Sequence, residues 1–164
     1  MIYISDDFIH YSHSIGNNVH HIEWCTKYRY RMFQSSFIRE EFRQILYEIA
    51  NRFHIRIIES GIMPDHIHLV LGPSETCDIT TFVGQFKNLA QRAAWQRGVK
   101  GAFWQKSFWD HFLRIKEDVD TTAEFVLNNP VRKGMVQVWE EYPFSGSLVI
   151  DARGSGGQAP RATP

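Results

Sequence analysis

The stretch that decides the fold is Ile55-Arg56-Ile57-Ile58-Glu59-Ser60-Gly61-Ile62, then Met63-Pro64-Asp65, then His66-Ile67-His68-Leu69-Val70-Leu71. Two β-branched runs joined by a proline and an aspartate read as a β-hairpin closed by a tight turn. On a strand, residues i and i+2 share a face and stand roughly 6.6 Å apart along it. His66 and His68 therefore project together, while Ile67, Leu69 and Leu71 give the opposite face a continuous apolar surface. The core has its partner without either histidine, which leaves both to face a cleft or solvent. Two imidazoles so placed can converge on one cation, although an isolated His-x-His is also an ordinary pair of polar strand residues.

Upstream, Val19–Thr26 (VHHIEWCT) sets Ile22 and Trp24 against His21, Glu23 and Cys25 with a period of two, as in a half-buried strand. It runs into Lys27-Tyr28-Arg29-Tyr30-Arg31. Ile38, Phe42, Ile45, Leu46, Ile49, Ala50 and Phe53 then follow the spacing of an amphipathic helix capped by Ser35 or Ser36. Downstream, a second helix starts at Asp78, carries Phe82, Phe86, Leu89, Ala90 and Ala93 on one face, and stops before Gly98. The segment from Phe103 to Ile115 is dense in aromatics and reads as a strand or strand pair of unclear register. A short helix begins near Thr121, where Thr121-x-x-Glu124 matches a capping box, and Pro130 interrupts or ends it. This order predicts an α+β fold, a ferredoxin-like antiparallel sheet with helices packed on one face and the two histidines on a central strand. One domain is expected over residues 1–150. The tail at 151–164, DARGSGGQAPRATP, has almost nothing to bury and is expected to be disordered.

Composition bounds the function classes. The chain has 164 residues, 43% hydrophobic and 14% aromatic, enough for one core. It lacks an apolar run long enough for a membrane span and begins with acids rather than a basic leader, so a cytoplasmic location is the expectation. Cys25 and Cys77 form no CxxC and are expected to be small buried groups. Eighteen basic against 18 acidic residues give no net charge, which at first argues against a nucleic-acid partner. The average hides a local bias, because between Gln85 and Lys116 seven Lys/Arg face the single acid Asp110. Seven aromatics interleave with them: Phe86, Trp95, Phe103, Trp104, Phe108, Trp109 and Phe112. Cations that track phosphates and rings that stack on bases are what single-stranded nucleic acid needs, though many of these rings serve a core equally well. Lys27, Arg29, Arg31, Lys87, Arg92, Lys106 and Arg114 are the candidate phosphate contacts.

A pair of histidines makes an incomplete metal site, and an oxygen ligand would complete it for a hard ion such as Mg2+ or Mn2+. In Glu124-Phe125-Val126-Leu127-Asn128-Asn129-Pro130, positions 125 and 129 share a helical face, so a group at each can address one point. Asn before Pro is also a common helix-end pairing. His111 is a candidate acid–base or DNA-contacting group, and Asp65 either orients His66 or simply makes the turn.

These segments carry a resemblance. Trp24-Cys25-Thr26-Lys27-Tyr28-Arg29, Gly61 to Val70, Phe86-Lys87, Phe108-Trp109-Asp110-His111-Phe112-Leu113-Arg114 and Asn128-Asn129-Pro130-Val131-Arg132-Lys133-Gly134 occur in the order seen in HUH single-stranded DNA transposases, and the chain resembles most of all the REP-associated tyrosine transposases of the IS200-like superfamily. The resemblance covers about Val19–Val149. It implies a transposase and endonuclease of DNA recombination that nicks and rejoins single-stranded DNA beside a folded hairpin. His66, His68 and Asn129 would hold a divalent Mg2+ or Mn2+ ion that polarises the scissile phosphate. A tyrosine would attack and leave a 5′-phosphotyrosine. At that position this chain has Phe125, which has no nucleophilic oxygen, so the resemblance implies a nicking-deficient chain, or a non-catalytic hairpin-binding protein derived from a transposase. Tyr28, Tyr30, Tyr47 and Tyr142 are weighed as a relocated nucleophile, but Tyr47 shares a helix face with no matching ligand and Tyr142 lies in a stretch that reads as a packed terminal segment. The resemblance also allows a homodimer that exchanges the nucleophile helix.

Overall fold

The computed structural model of the chain describes residues 9–11, 14–114 and 117–146; the expected disordered tail at 151–164 lies outside them. Strands β1 (Ile9–Tyr11), β2 (Ser14–Cys25), β3 (Arg56–Ile62), β4 (His66–Gly72), β5 (Trp109–Arg114) and β6 (Ser145–Gly146) form one antiparallel sheet. Across it the order is β5-β2-β4-β3-β6, with β1 paired to the start of β2. Helices α1 (Ser36–Phe53) and α2 (Ile79–Gln96) connect β2 to β3 and β4 to β5, giving the split β-α-β pattern of a ferredoxin-like fold. The histidine pair lies on the middle strand of the five.

Ile22 and Trp24 of β2 and Ile67, Leu69 and Leu71 of β4 join Phe42, Leu46 and Ile49 of α1 and Phe82, Phe86 and Ala90 of α2 in one buried cluster. On α2, Ala94 is buried where the spacing had favoured Ala93. Phe33, Phe103 and Trp104 fill the end of this layer, so these three aromatics are core. Among the described residues, no helix is long and apolar enough to cross a membrane.

Both long helices sit on one face of the sheet, as the sequence suggests. A third helix, α3 (Val119–Leu127), adds to that picture by lying on the other face, where Val119 and Val126 pack with Val19, Ile58, Val70 and Leu113. Its cap is Asp118, whose carboxylate accepts from the Asp120 and Thr121 N–H groups, three residues before the expected start. Asn128 ends it, and the short α4 (Asn129–Arg132) follows at once with Pro130 in its first turn. α3 packs close over β3 at Gly61, where a Cβ would stand 3.4 Å from the Val126 carbonyl oxygen. The aromatic segment beginning at Phe103 resolves into a loop, with Trp104 bridged to Thr26, followed by β5 paired to β2.

Candidate functional site

Strand register builds the site. Glu23 stands opposite His68 and Cys25 opposite His66 across the β2–β4 ladder, and Trp109 and His111 of β5 stand opposite Glu23 and His21 on the other edge of β2. All project to the α3 face. His66 and His68 are buried beneath α3 and α4 rather than open to solvent, at 2% and 4% exposure. Their rings stand 4.8 Å apart at 83°.

Each imidazole has a positioning partner. Asp65 Oδ1 lies 2.5 Å from His66 Nδ1. The Asn129 amide nitrogen donates to His68 Nε2 at 3.2 Å, so His68 carries its proton on Nδ1 and donates it to His21 Nε2, also at 3.2 Å. Burial, reinforced by the charges of His66, His21, Arg29 and Lys133, pushes the His68 pKa down to about 2. Burial likewise lowers that of His21, against the opposing pull of Glu23. His68 is thus a neutral imidazole, and its 3.8 Å approach to Glu23 Oε2 is not an ion pair.

The donor set suits a divalent cation. Ligand atoms of Glu23, His66 and His68 lie within 4.8 Å of one another. Asn129 is buried, and its carbonyl oxygen Oδ1 has no hydrogen-bond partner, a costly state for a buried acceptor that a cation would relieve. Two imidazoles, an amide oxygen and a carboxylate are a mixed nitrogen and oxygen set that fits a divalent cation. Sequence reading missed Glu23, although its place among the alternating polar residues of β2 was the available signal.

Phe125 lies at the rim of this cluster. Its ring centroid is 6.3 Å from that of His68 and 5.8 Å from that of His21, and the Arg132 guanidinium covers it at 4.2 Å. It lines a cleft of about 520 Å3 together with His21, Glu23, Cys25, Gln105 and Trp109. Cys25 is half-buried there, whereas Cys77 is buried as expected. On the side of His66, a second cleft of about 270 Å3 is lined by Arg29, Arg31, Asp65 and Lys133. Tyr142 is buried with its hydroxyl donated to the Ile62 carbonyl, and burial raises its pKa to about 12. Tyr28 and Tyr30 are exposed but line neither cleft, and Tyr47 belongs to α1 on the opposite face.

The candidate phosphate contacts divide by position. Arg29 and Arg31 reach the site, with Arg29 paired to Glu23 and Asp65. Left-handed φ angles at Tyr28 and Arg29, uncommon for non-glycine residues, turn the chain back over these acids. Lys27 lies over the exposed Tyr28 ring, and Lys106 is exposed in the loop beside the larger cleft. Lys87 instead donates to the Gln105 and Ser107 carbonyls at 3.0 and 2.9 Å, and so fastens that loop. Arg92 is on α2, across the sheet, and Arg114 is at the far end of β5, roughly 16 Å along the strand from Trp109. His111 bonds Glu117 and stacks on Trp109.

With this geometry in view, residues 14–126 match the family profile described as transposase, IS200-like. A protein of Haemophilus influenzae provisionally named a REP-associated tyrosine transposase is 27% identical over 116 residues, 64% of this chain and 66% of that one. The ISDra2 transposase TnpA of Deinococcus radiodurans is 28% identical over 93 residues, 56% of this chain and 66% of its own. The chain thus spans just under two thirds of the length of these two relatives. A solved structure of a REP-associated tyrosine transposase bound to a REP hairpin shares the fold, with a TM-score of 0.66 and 20% identity over 85% of this chain and 81% of that one.

Proposed function

The chain belongs to the IS200-like transposase family, and from that premise we propose that it binds hairpin-forming single-stranded DNA chiefly through phosphate contacts, over a site able to hold a divalent cation, while lacking the nucleophile for strand cleavage. The observation that carries the reading is that His66 and Asn129 both adjoin His68, which lines the cleft edged by Phe125. The hairpin-bound fold neighbour and the names of the relatives supply the DNA class.

His66, His68, Asn129 and Glu23 are the residues that would hold the cation, which when bound supplies charge to neutralise a phosphate oxygen. Everything else comes from the chain. Asp65 and His21 hold the imidazoles in one orientation, with the His68 Nε2 lone pair turned toward Asn129. Arg29, Arg31 and Lys133 line the cleft that receives the flanking phosphates. In a tyrosine enzyme the phenolic oxygen at position 125 bonds to phosphorus, the P–O3′ bond breaks, and the 3′ oxygen leaves with a proton. Phe125 keeps the ring packing and removes the attacking atom, so only that step is lost. Glu23, His66 and His68 offer the metal site without it.

A gel-shift and denaturing-gel pair tests this on the intact chain. Labelled single strands with and without a hairpin are incubated with protein in Mn2+ or EDTA. The expected result is a hairpin-dependent shift with the DNA intact in both conditions. Cleavage in Mn2+, or no preference for the hairpin, contradicts it.

A further inference from the structure

The two clefts flanking the histidines differ in chemistry. The smaller holds Arg29, Arg31 and Lys133 against one acid, Asp65. The larger holds aromatic rings, the Gln105 carboxamide and the Glu23 carboxylate, with Arg29 at its border already paired to Glu23. A polyanion entering both would place phosphates in the first, where three cations face one acid, rather than in the second, whose one cation is already paired. What suits the second is the neutral flat part of a nucleotide.

Trp109 is the surface for it. Of the seven aromatics between positions 86 and 112, Phe86, Phe103 and Trp104 are buried, whereas Trp109 is 51% exposed on the wall of the larger cleft. Its ring is braced before any ligand arrives: His111 stacks on it at 5.7 Å and 16°, and His21 meets it edge-on at 4.9 Å and 82°. Phe125, 41% exposed, lines the same cleft. The loop that supplies Gln105 and Phe108 is fixed by Lys87 through two carbonyls and by the Trp104 indole donating to the Lys87 carbonyl oxygen. At about 520 Å3 the cleft falls in the size range of ordinary small-molecule sites, roughly 300–1,000 Å3. A rigid, half-exposed indole in such a cleft, with a carboxamide able both to donate and to accept, is the equipment of a base-stacking site.

We infer that this cleft seats one unpaired nucleobase, stacked on Trp109 with its edge within reach of Gln105, from the nucleotide adjoining the phosphate at His66 and His68. The inference rests on the single-stranded DNA reading above. Trp109 sets affinity at that one position, and Gln105 sets which base is preferred there.

The test uses the intact chain and a series of hairpin oligonucleotides with single-stranded flanks, each carrying an abasic site at one successive flank position. Binding is followed by fluorescence anisotropy in EDTA, so that the metal plays no part. The unsubstituted protein should lose affinity on the order of ten-fold at a single abasic position. Trp109→Ala should bind the intact oligonucleotide correspondingly less well and become indifferent to that abasic site, whereas Trp109→Phe should keep both the affinity and the sensitivity. Gln105→Ala should keep the abasic profile and flatten the base preference. Independently of any variant, 2-aminopurine scanned along the flank should be quenched at the same position. An abasic profile unchanged by Trp109→Ala, or uniform 2-aminopurine emission, overturns the base seat while leaving the DNA reading intact. Absence of binding to every oligonucleotide overturns the DNA reading and the seat with it.

Discussion

Glu59→Gln gives a measurable test of how the sheet supports α3. Glu59 is 7% exposed and faces α3, opposite Val70 and beside Ile58 at an irregularity of the β3–β4 ladder. Its carboxyl accepts the Ser60 N–H at 3.1 Å. Burial outweighs this bond and that from the Gly146 backbone, and pushes the pKa from the ordinary 4.5 up to about 7. The folded chain therefore holds this proton more tightly than the unfolded chain. Its stabilising contribution is complete below about pH 4.5, declines as pH rises towards 7, and is gone above that. The gap of about 2.5 pH units, at about 1.4 kcal/mol each, comes to about 3 kcal/mol. Glutamine keeps an acceptor for Ser60 and has nothing to ionise. Urea denaturation of both proteins at pH 4.5 and pH 8 should show their stability difference shifting by about 3 kcal/mol in favour of Glu59→Gln at the higher pH. A difference independent of pH, or one that shifts the other way, refutes the assignment.

Other outcomes follow from single contacts. Asp65→Asn and His21→Ala should each weaken Mn2+ binding about 10- to 100-fold in calorimetry while leaving the fold intact, because they orient His66 and His68 rather than hold the cation. Lys87→Met should cost about 1–3 kcal/mol of stability and weaken single-strand binding without altering Mn2+ affinity, since it frees the loop carrying Gln105. Arg31→Ala and Lys133→Ala should each lower the slope of log K against log salt by about 0.7 for single-stranded DNA, whereas Arg92→Ala, across the sheet, should leave it unchanged.

Local pattern carried the reading as far as local pattern determines structure. The period of two through Ile67, Leu69 and Leu71 fixed which face His66 and His68 share, and the helical spacing of Phe42, Leu46 and Ile49 fixed how α1 meets the sheet. Register between distant strands was not legible. Glu23 and His21 meet His68 only because β2 pairs with β4 across more than 40 residues, and nothing in VHHIEWCT states that pairing. Lys87 shows the same limit from another side: its partners are carbonyls of the 105–107 loop, which every sequence possesses, so a cation tied to the chain looks identical to one free for phosphate. The start of α3 was misplaced because both Asp118 and Thr121 are good caps, and the choice depends on where Val119 meets its buried neighbours. The side of the sheet that α3 occupies is marked by Val119 and Val126 packing with Val19, Ile58 and Val70, contacts between residues far apart in the chain.

The most direct measurement is intact-protein mass spectrometry of the chain and of Phe125→Tyr after incubation with a hairpin single strand and Mn2+. If Phe125 removes only the attacking oxygen, the tyrosine variant gains the mass of the 5′-phosphorylated cleavage fragment and the unsubstituted chain gains nothing, while both bind the hairpin equally. An adduct on the unsubstituted chain, or none on a tyrosine variant that still binds Mn2+ and DNA, contradicts the account.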